Sequence, residues 1–138
     1  MKKNLVITII IGLALVVAIG LPALKARNTV IEATINPEEK IDQALAEGRP
    51  IFIEFYADRC PSCVKMKPII EELQKAYGTE IQFILADTDN EGYNLAAQLK
   101  VMYIPSYVFV DADGQQRGQM LSGVMSKNQL ESLLIELL

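Results

Sequence analysis

Cys60 and Cys63 are the only two cysteines of the chain, and their thiols, three residues apart, are its strongest candidates for reactive groups. They flank Pro61 and Ser62, directly after an apolar run typical of a buried strand and at the start of a helical pattern. Two thiols at this spacing can close a small disulfide. The first thiol meets the free backbone N–H groups and the positive dipole end of the helix, which favour the nucleophilic thiolate. We therefore predict that Cys60 attacks a disulfide and that Cys63 resolves the mixed disulfide.

The neighbours of Cys60 support this prediction, while other uses of two cysteines stay open. Arg59 places a positive charge beside Cys60, and Pro61 suits the first turn of a helix and limits rearrangement of the loop. A purely structural disulfide of this size would close too short a loop to stabilise the fold much. A zinc site needs four ligands, which two cysteines without histidine do not supply, whereas two thiolates can hold Cu(I).

The composition excludes several classes of function. The chain has 138 residues, 51% of them hydrophobic, and no histidine, so mechanisms that need a histidine base or ligand are excluded. Of its 13 basic and 17 acidic groups, four basic and no acidic ones lie in residues 1–27. The rest of the chain is therefore acidic, which disfavours binding to nucleic acids.

Residues 5–24 contain no charged side chain, and a helix of this length crosses about 30 Å of hydrocarbon. We predict an uncleaved signal anchor over residues 1–27, a linker over 28–36 and one folded domain over 37–138. A small excess of positive charge before the apolar run places the N-terminus in the cytoplasm. The domain is then expected on the extracytoplasmic, periplasmic side of the cell membrane, held by a single span. A cleaved secretory signal is the alternative, although its hydrophobic core is usually shorter.

Hydrophobic periodicity and turn residues predict the order α-β-α-β-α-β-β-α for the folded domain. Helices that alternate with strands predict a parallel sheet covered on both faces, and a late hairpin with a turn at 111–114 adds antiparallel strands. The predicted fold class is therefore α/β with a mixed central sheet. The predicted helices cover 37–47, 63–77, 91–100 and 126–138, and the predicted strands cover 51–57, 81–86, 106–110 and 115–122.

Capping residues mark several of the predicted helix ends. Asn36 is predicted as the N-cap of the first helix and Gly78 as the C-cap of the second. Ser126 and Gln129 have the spacing of a capping box at the start of the last helix. These signals set the expected boundaries of the elements that carry and surround the cysteines.

Residues 55–63 (Phe-Tyr-Ala-Asp-Arg-Cys-Pro-Ser-Cys) resemble the active-site segment of the thioredoxin family. Pro68 matches the proline that this family places inside the following helix. Residues 103–107 (Tyr-Ile-Pro-Ser-Tyr) match its cis-proline loop, and Gly123 matches the glycine after its last strand. The resemblance implies a thioredoxin fold, a cis peptide bond before Pro105 on a loop that faces the two cysteines, and dithiol exchange chemistry.

Two positions depart from the pattern of the family. The family usually has tryptophan before its first cysteine, where this chain has Arg59, so contact with partner proteins is expected to differ. Glu54 stands where the family often has aspartate. A carboxyl group buried behind the disulfide would have a raised pKa and could relay a proton to or from Cys63. The alternative is a glutamate whose carboxylate reaches water or a backbone partner.

The same resemblance implies a substrate-binding surface. The residue before the cis-proline touches substrate in this family, which assigns Ile104 and Pro105, together with Arg59 and Pro61, to substrate binding. The backbone of Ile104 is expected to pair with an extended segment of the partner. A bulky apolar residue at this position resembles reductases more than strong oxidants, and simple strand packing of Ile104 is the alternative.

The resemblance and the apolar N-terminal run together predict a membrane-anchored thiol–disulfide oxidoreductase that reduces disulfides of exported proteins, with apocytochrome c as a candidate. They imply a membrane-embedded thiol electron donor and no cofactor beyond the redox-active Cys60–Cys63 disulfide. No metal and no nucleic acid are expected, and the protein is expected to be a monomer. The alternatives are an oxidant that introduces disulfides with the same residues and a non-catalytic Cu(I) carrier or docking module.

Overall fold

The computed structural model describes residues 32–138. The predicted membrane anchor over residues 1–27 lies outside the described residues. Within residues 32–138, no helix is both long enough and apolar enough to span a bilayer. The described elements follow the predicted order: α1 (Pro37–Ala46), β1 (Ile51–Tyr56), α2 (Pro61–Tyr77), β2 (Gln82–Asp87), α3 (Tyr93–Gln98), β3 (Ser106–Val110), β4 (Leu121–Ser122) and α4 (Lys127–Ile135).

The described domain is built around a four-stranded sheet with the strand order β2-β1-β3-β4. β1 pairs with β2 in parallel, whereas the β1–β3 and β3–β4 pairs are antiparallel. The prediction of a mixed sheet is confirmed. In this register Glu54 of β1 lies opposite Leu85 of β2 on one side and Tyr107 of β3 on the other.

Each face of the sheet carries its own apolar cluster, because successive side chains of a strand point to opposite faces. One cluster joins the sheet to α2 and α4, and the other joins it to α1 and α3, so helices cover both faces as predicted. The first cluster contains Phe52, Met66, Ile70, Leu73, Ile81, Phe83, Leu85, Tyr107, Phe109, Leu130, Leu134 and Leu137. The second contains Ala44, Ile51, Ile53, Phe55, Ile84, Ala86, Leu95, Ala96 and Val108.

The prediction of a strand over residues 115–122 is wrong for most of these residues, because the observed strand covers only Leu121–Ser122. The turn at 111–114 is present, and Gln116 makes an isolated bridge with Val110. The chain then leaves the ladder at Gly118, whose φ of 69° is incompatible with an extended strand, and it rejoins the sheet only at β4. Of the residues between, Gln119 is polar and exposed, whereas Met120 is partly buried and packs against the second cluster.

Some helix ends also differ from the prediction. α2 begins at Pro61 rather than at residue 63, which makes Cys60 its N-cap. α3 is shorter than predicted, because it begins only after Gly92 and ends before Lys100, which has a φ of 54°.

The caps are confirmed at the last helix and differ in detail elsewhere. The Ser126–Gln129 capping box forms in full. Asn36 occupies the N-cap position of α1, but its side chain donates to the carboxylate of Glu39 rather than capping the backbone. Gly78 caps α2 with an ordinary helical φ of −67°, and the reason for a glycine is space, since a Cβ there would lie 2.5 Å from a backbone carbonyl oxygen.

Candidate active site

Cys60 and Cys63 are joined by a disulfide at the N-terminus of α2. Cys60 is the N-cap, and its Sγ accepts a hydrogen bond from the backbone N–H of Cys63 at 3.2 Å. Cys63 lies one turn inside the helix and is only 4% exposed, whereas Cys60 is partly exposed. The strand-to-helix junction therefore presents one sulfur to a partner and keeps the other behind it.

The loop before β3 packs against this disulfide. The peptide bond between Ile104 and Pro105 is cis, as the family resemblance implied, and Pro105 is buried. The Ile104 carbonyl oxygen lies 3.8 Å from Cys60 Sγ. The Pro105 carbonyl accepts from the backbone N–H of Gly123 at 2.8 Å, which connects the loop to the end of β4. Residues far apart in the chain are thus brought to one side of Cys60.

A groove of about 590 Å³ runs beside Cys60, between the cis-proline loop and α3. Arg59 and Asp89 form an ion pair of 2.9 Å on its rim, but the Arg59 side chain is 83% exposed, so the pair contributes little to stability. Met102 and Tyr103 are 79% and 75% exposed, an unusual exposure for such large side chains. The groove is lined by Ala57, Arg59, Cys60, Thr88, Asp89, Tyr93, Ala96, Ala97, Val101, Met102, Tyr103 and Ile104.

Glu54 is buried behind the disulfide, at 4% exposure, and burial raises its pKa from 4.5 to about 8. Its cross-strand neighbours, Leu85 and Tyr107, carry no positive charge. No side chain within residues 32–138 forms an ion pair with it. The raised pKa expected from the sequence is therefore confirmed, and the carboxyl group holds its proton near neutral pH.

A second cavity, of about 290 Å³, connects Glu54 to Cys63. Its lining contains Cys63 and not Cys60, whereas the lining of the groove contains Cys60 and not Cys63. Its lining residues are Glu32, Ala33, Glu54, Tyr56, Ala57, Asp58, Cys63, Val64, Lys67 and Asp87. A cavity of this size and polarity has room for several water molecules between the buried carboxyl group and the buried sulfur.

The structure assembles the predicted site residues and adds two others. Ile104 and Arg59 line the groove, and Pro61 is exposed beside Cys60 at the first turn of α2. The sequence left open whether Tyr107 is a groove or a core residue, and the structure buries it, with no hydrogen-bond partner for its hydroxyl among residues 32–138. Thr34, which bonds to the edge of β2, was not predicted. Only the strand register shows that Tyr107 of β3 lies directly beside Glu54 of β1 on the same face of the sheet.

Metal binding would have to rest on the two cysteines. Within the described part of the chain, no group of three or more cysteine or carboxylate side chains lies close enough to hold a metal ion. Both sulfurs are engaged in the disulfide, so they offer no thiolate in this state. The arrangement is suited to disulfide exchange.

Comparison with known proteins identifies the family. The family model described as "Thioredoxin" matches residues 32–136. The thiol:disulfide interchange protein TxlA homolog of Synechocystis sp. is 32% identical over 114 residues, which cover 82% of this chain and 63% of that protein. The thiol:disulfide interchange protein DsbD of Salmonella paratyphi A is 29% identical over 109 residues, which cover 74% of this chain and 19% of that protein. Both matches span less than two thirds of the relative's length.

A solved structure agrees with these relatives. Mitochondrial thioredoxin 3 of Saccharomyces cerevisiae, in its oxidised form, superposes with a TM-score of 0.63 at 26% identity, over 76% of this chain and 94% of that one. The matched region contains the sheet, the paired cysteines of α2 and the cis-proline loop. The chain belongs to the thioredoxin family of thiol–disulfide oxidoreductases.

Proposed function

We propose that this protein reduces disulfide bonds of exported proteins through Cys60 and Cys63. The observation that carries the proposal is the pairing of an accessible Cys60 with a buried Cys63 against the cis-proline loop. The Cys60 thiolate attacks one substrate sulfur, a mixed disulfide forms, and the other substrate sulfur leaves as a thiolate. Cys63 then attacks the Cys60 sulfur, which closes the Cys60–Cys63 disulfide and releases the second substrate thiolate. Two electrons pass from the protein to the substrate.

The backbone of α2 supplies most of the stabilisation of the Cys60 thiolate. The N–H of Cys63 already points at Cys60 Sγ in the disulfide form, and the helix dipole adds positive potential at the same place. Arg59 adds a positive charge one residue away, although its pairing with Asp89 offsets that charge. We expect the thiol pKa of Cys60 to lie below that of a free cysteine.

Glu54 is the proposed proton carrier for Cys63. Cys63 must lose a proton before it attacks, and Glu54 lines the same cavity. The pKa of Glu54, about 8, lies close to the usual value of about 8.5 for a thiol. Proton transfer between groups of similar pKa has a small free-energy cost, which favours a role for Glu54 as a base during resolution and as an acid in the reverse step.

The groove is the proposed binding site for an extended substrate segment. Ile104 presents its backbone next to Cys60, where a substrate strand can pair with it. The exposed Met102 and Tyr103 offer apolar surface for the side chains that flank the substrate disulfide. Arg59 also lines the groove and Pro61 is exposed at the first turn of α2, so both are proposed to contact the substrate near the attacking sulfur.

Membrane attachment and partners complete the proposal. The uncharged run at residues 5–24 supports a single span with the domain on the extracytoplasmic side. Two relatives are named thiol:disulfide interchange proteins, which supports protein disulfides as substrates and a second dithiol protein as donor. We propose apocytochrome c as one such substrate, a membrane-embedded thiol protein as the electron donor, a monomeric state, and no cofactor other than the disulfide.

Trapping the mixed disulfide tests this function. In the Cys63→Ser variant the resolving sulfur is absent, so substrates stay covalently attached to Cys60 and run as adducts that a thiol reductant releases. The matched control is the double variant Cys60→Ser with Cys63→Ser, which forms no adduct. Exported proteins with paired cysteines are the substrates expected in these adducts. Adducts that persist in the double variant, or no Cys60-dependent adduct at all, would sink the proposal.

The midpoint potential of the Cys60–Cys63 pair decides the direction of exchange. A value of about −270 mV is expected for a reductant, whereas a value of about −120 mV would make the protein an oxidant with the same residues. Stoichiometric Cu(I) binding without disulfide reduction would instead support a copper carrier. An alkaline-phosphatase fusion at the C-terminus, active only outside the cytoplasm, tests the proposed orientation.

A further inference from the structure

Thr34 forms hydrogen bonds to β2, the outer strand of the described sheet, beside the cavity that contains Glu54. Its backbone N–H donates to the carbonyl oxygen of Leu85 at 2.9 Å, and its Oγ1 accepts from the backbone N–H of Leu85 at 2.8 Å. β2 is an edge strand of the sheet, so these Leu85 groups face away from β1. One residue thus satisfies both outward-facing backbone groups of Leu85, and it needs a side-chain hydroxyl to do so.

The residues next to Thr34 form one wall of the cavity that contains Glu54 and Cys63. Glu32 and Ala33 line that cavity, and we call residues 32–34 the strap. Leu85, to which the strap is bonded, is the direct cross-strand partner of Glu54. The point of attachment and the buried carboxyl group are therefore only one strand apart.

We propose that Thr34 is a positioning residue that holds the strap over this cavity and thereby limits the access of water to Glu54 and Cys63. The inference rests on the proposed role of Glu54 as a proton carrier. It adds that the strap determines how well that carboxyl group is shielded. None of residues 32–34 lines the groove beside Cys60.

The electrostatic surroundings of Glu54 give the direction of the effect. Burial is the cause of its raised pKa, so water that enters past a released strap lowers that pKa. The titratable and charged groups that face the cavity or the Glu54 position are Glu32 of the strap, Tyr56 of β1, Asp58 after β1, Cys63 and Lys67 of α2, Asp87 of β2 and Tyr107 of β3.

A carboxyl titration of the full chain tests the inference. The full chain is kept in detergent and in its oxidised state, because disulfide-bonded cysteines do not titrate. The ¹³C side-chain carboxyl signal of Glu54 is assigned by its loss in Glu54→Gln. Thr34→Val keeps the shape of the side chain and removes its hydroxyl. We expect it to lower the pKa of Glu54 by about one unit, and to speed exchange of the Leu85 amide by about tenfold.

Two further variants make the test specific. Thr34→Ser keeps the hydroxyl and is expected to restore the parent titration. Thr79→Val is the matched control, since Thr79 lies in an exposed turn and its hydroxyl bonds only to Glu80 among the described residues. An unchanged Glu54 titration or an unchanged Leu85 amide in Thr34→Val overturns the inference. A shift in Thr34→Ser as large as that in Thr34→Val overturns it as well.

Failure of the proposed function has a different signature. If Glu54→Gln reduces a protein disulfide as fast as the parent at every pH, the proton-carrier role is wrong. The shift of the Glu54 titration in Thr34→Val would still support the positioning role of Thr34. If the proton-carrier role of Glu54 and the positioning role of Thr34 are both correct, the pH profile of disulfide reduction by Thr34→Val moves to lower pH together with the Glu54 titration.

Discussion

Replacement of Glu54 by glutamine isolates the free energy of keeping an ionisable group inside the sheet. Glu54 is almost completely buried, and burial raises its pKa from 4.5 to about 8. Glutamine has nearly the shape of a protonated glutamate and does not ionise. The variant and the parent therefore differ mainly in the ionisation of this one side chain.

The difference in pKa sets the magnitude and the pH window. Between pH 4.5 and about pH 8, Glu54 keeps its proton in the folded state and loses it in the unfolded state. The folded state then binds more protons, so the stability of the parent falls as the pH rises through this window. Below pH 4.5 both states are protonated and the penalty is absent. At pH 7 the penalty is about 3 kcal/mol, and above pH 8 it reaches about 5 kcal/mol.

Urea unfolding of the oxidised full chain at a series of pH values measures this effect. We expect the free energy of unfolding of Glu54→Gln, relative to the parent, to rise steadily between the two pKa values. The matched control is Glu91→Gln, which changes an exposed glutamate before α3 and is expected to alter stability by less than about 0.5 kcal/mol at every pH. A difference between Glu54→Gln and the parent that stays constant with pH would refute the reasoning, because burial would then not penalise the carboxylate.

Three other substitutions have expected outcomes that urea unfolding can check. Tyr107→Phe removes a buried hydroxyl that has no hydrogen-bond partner in the described part of the chain, so we expect a gain of about 1 kcal/mol, and a loss would mean that the hydroxyl is bonded in solution. Ser126→Ala removes the capping box with Gln129 and should lower stability by about 1 kcal/mol, whereas an unchanged midpoint would mean that the cap contributes nothing. Arg59→Ala breaks the exposed pair with Asp89 and should change stability by less than about 1 kcal/mol, while a larger loss would contradict its exposure.

The chemistry of the cysteine pair could be predicted because its determinants are local. The spacing of Cys60 and Cys63, a proline at the first helical position and a preceding apolar strand all lie within one short segment. The cap geometry and the hydrogen bond from the Cys63 N–H then follow from helix formation alone. The same holds for the capping box of α4, which depends on two residues three apart.

The hairpin after β3 shows where local patterns fail. The turn at 111–114 was predicted from its residue types, and it forms. The strand over 115–122 was predicted from the expectation that a hairpin continues, but Gly118 adopts a left-handed conformation and only β4 pairs with β3. Whether a polar edge segment pairs depends on what covers it, and no residue pattern within the segment carries that information.

The sequence by itself determined the order of the elements, the alternation that puts helices on both faces, and the position of two thiols at a helix N-terminus. Tertiary structure alone decided what surrounds those thiols. It set the Ile104 carbonyl 3.8 Å from Cys60, aligned Tyr107 with Glu54, and brought Thr34 to the edge of β2. These contacts join residues far apart in the chain, and their energies depend on burial and strand register, which exist only after the sheet has formed.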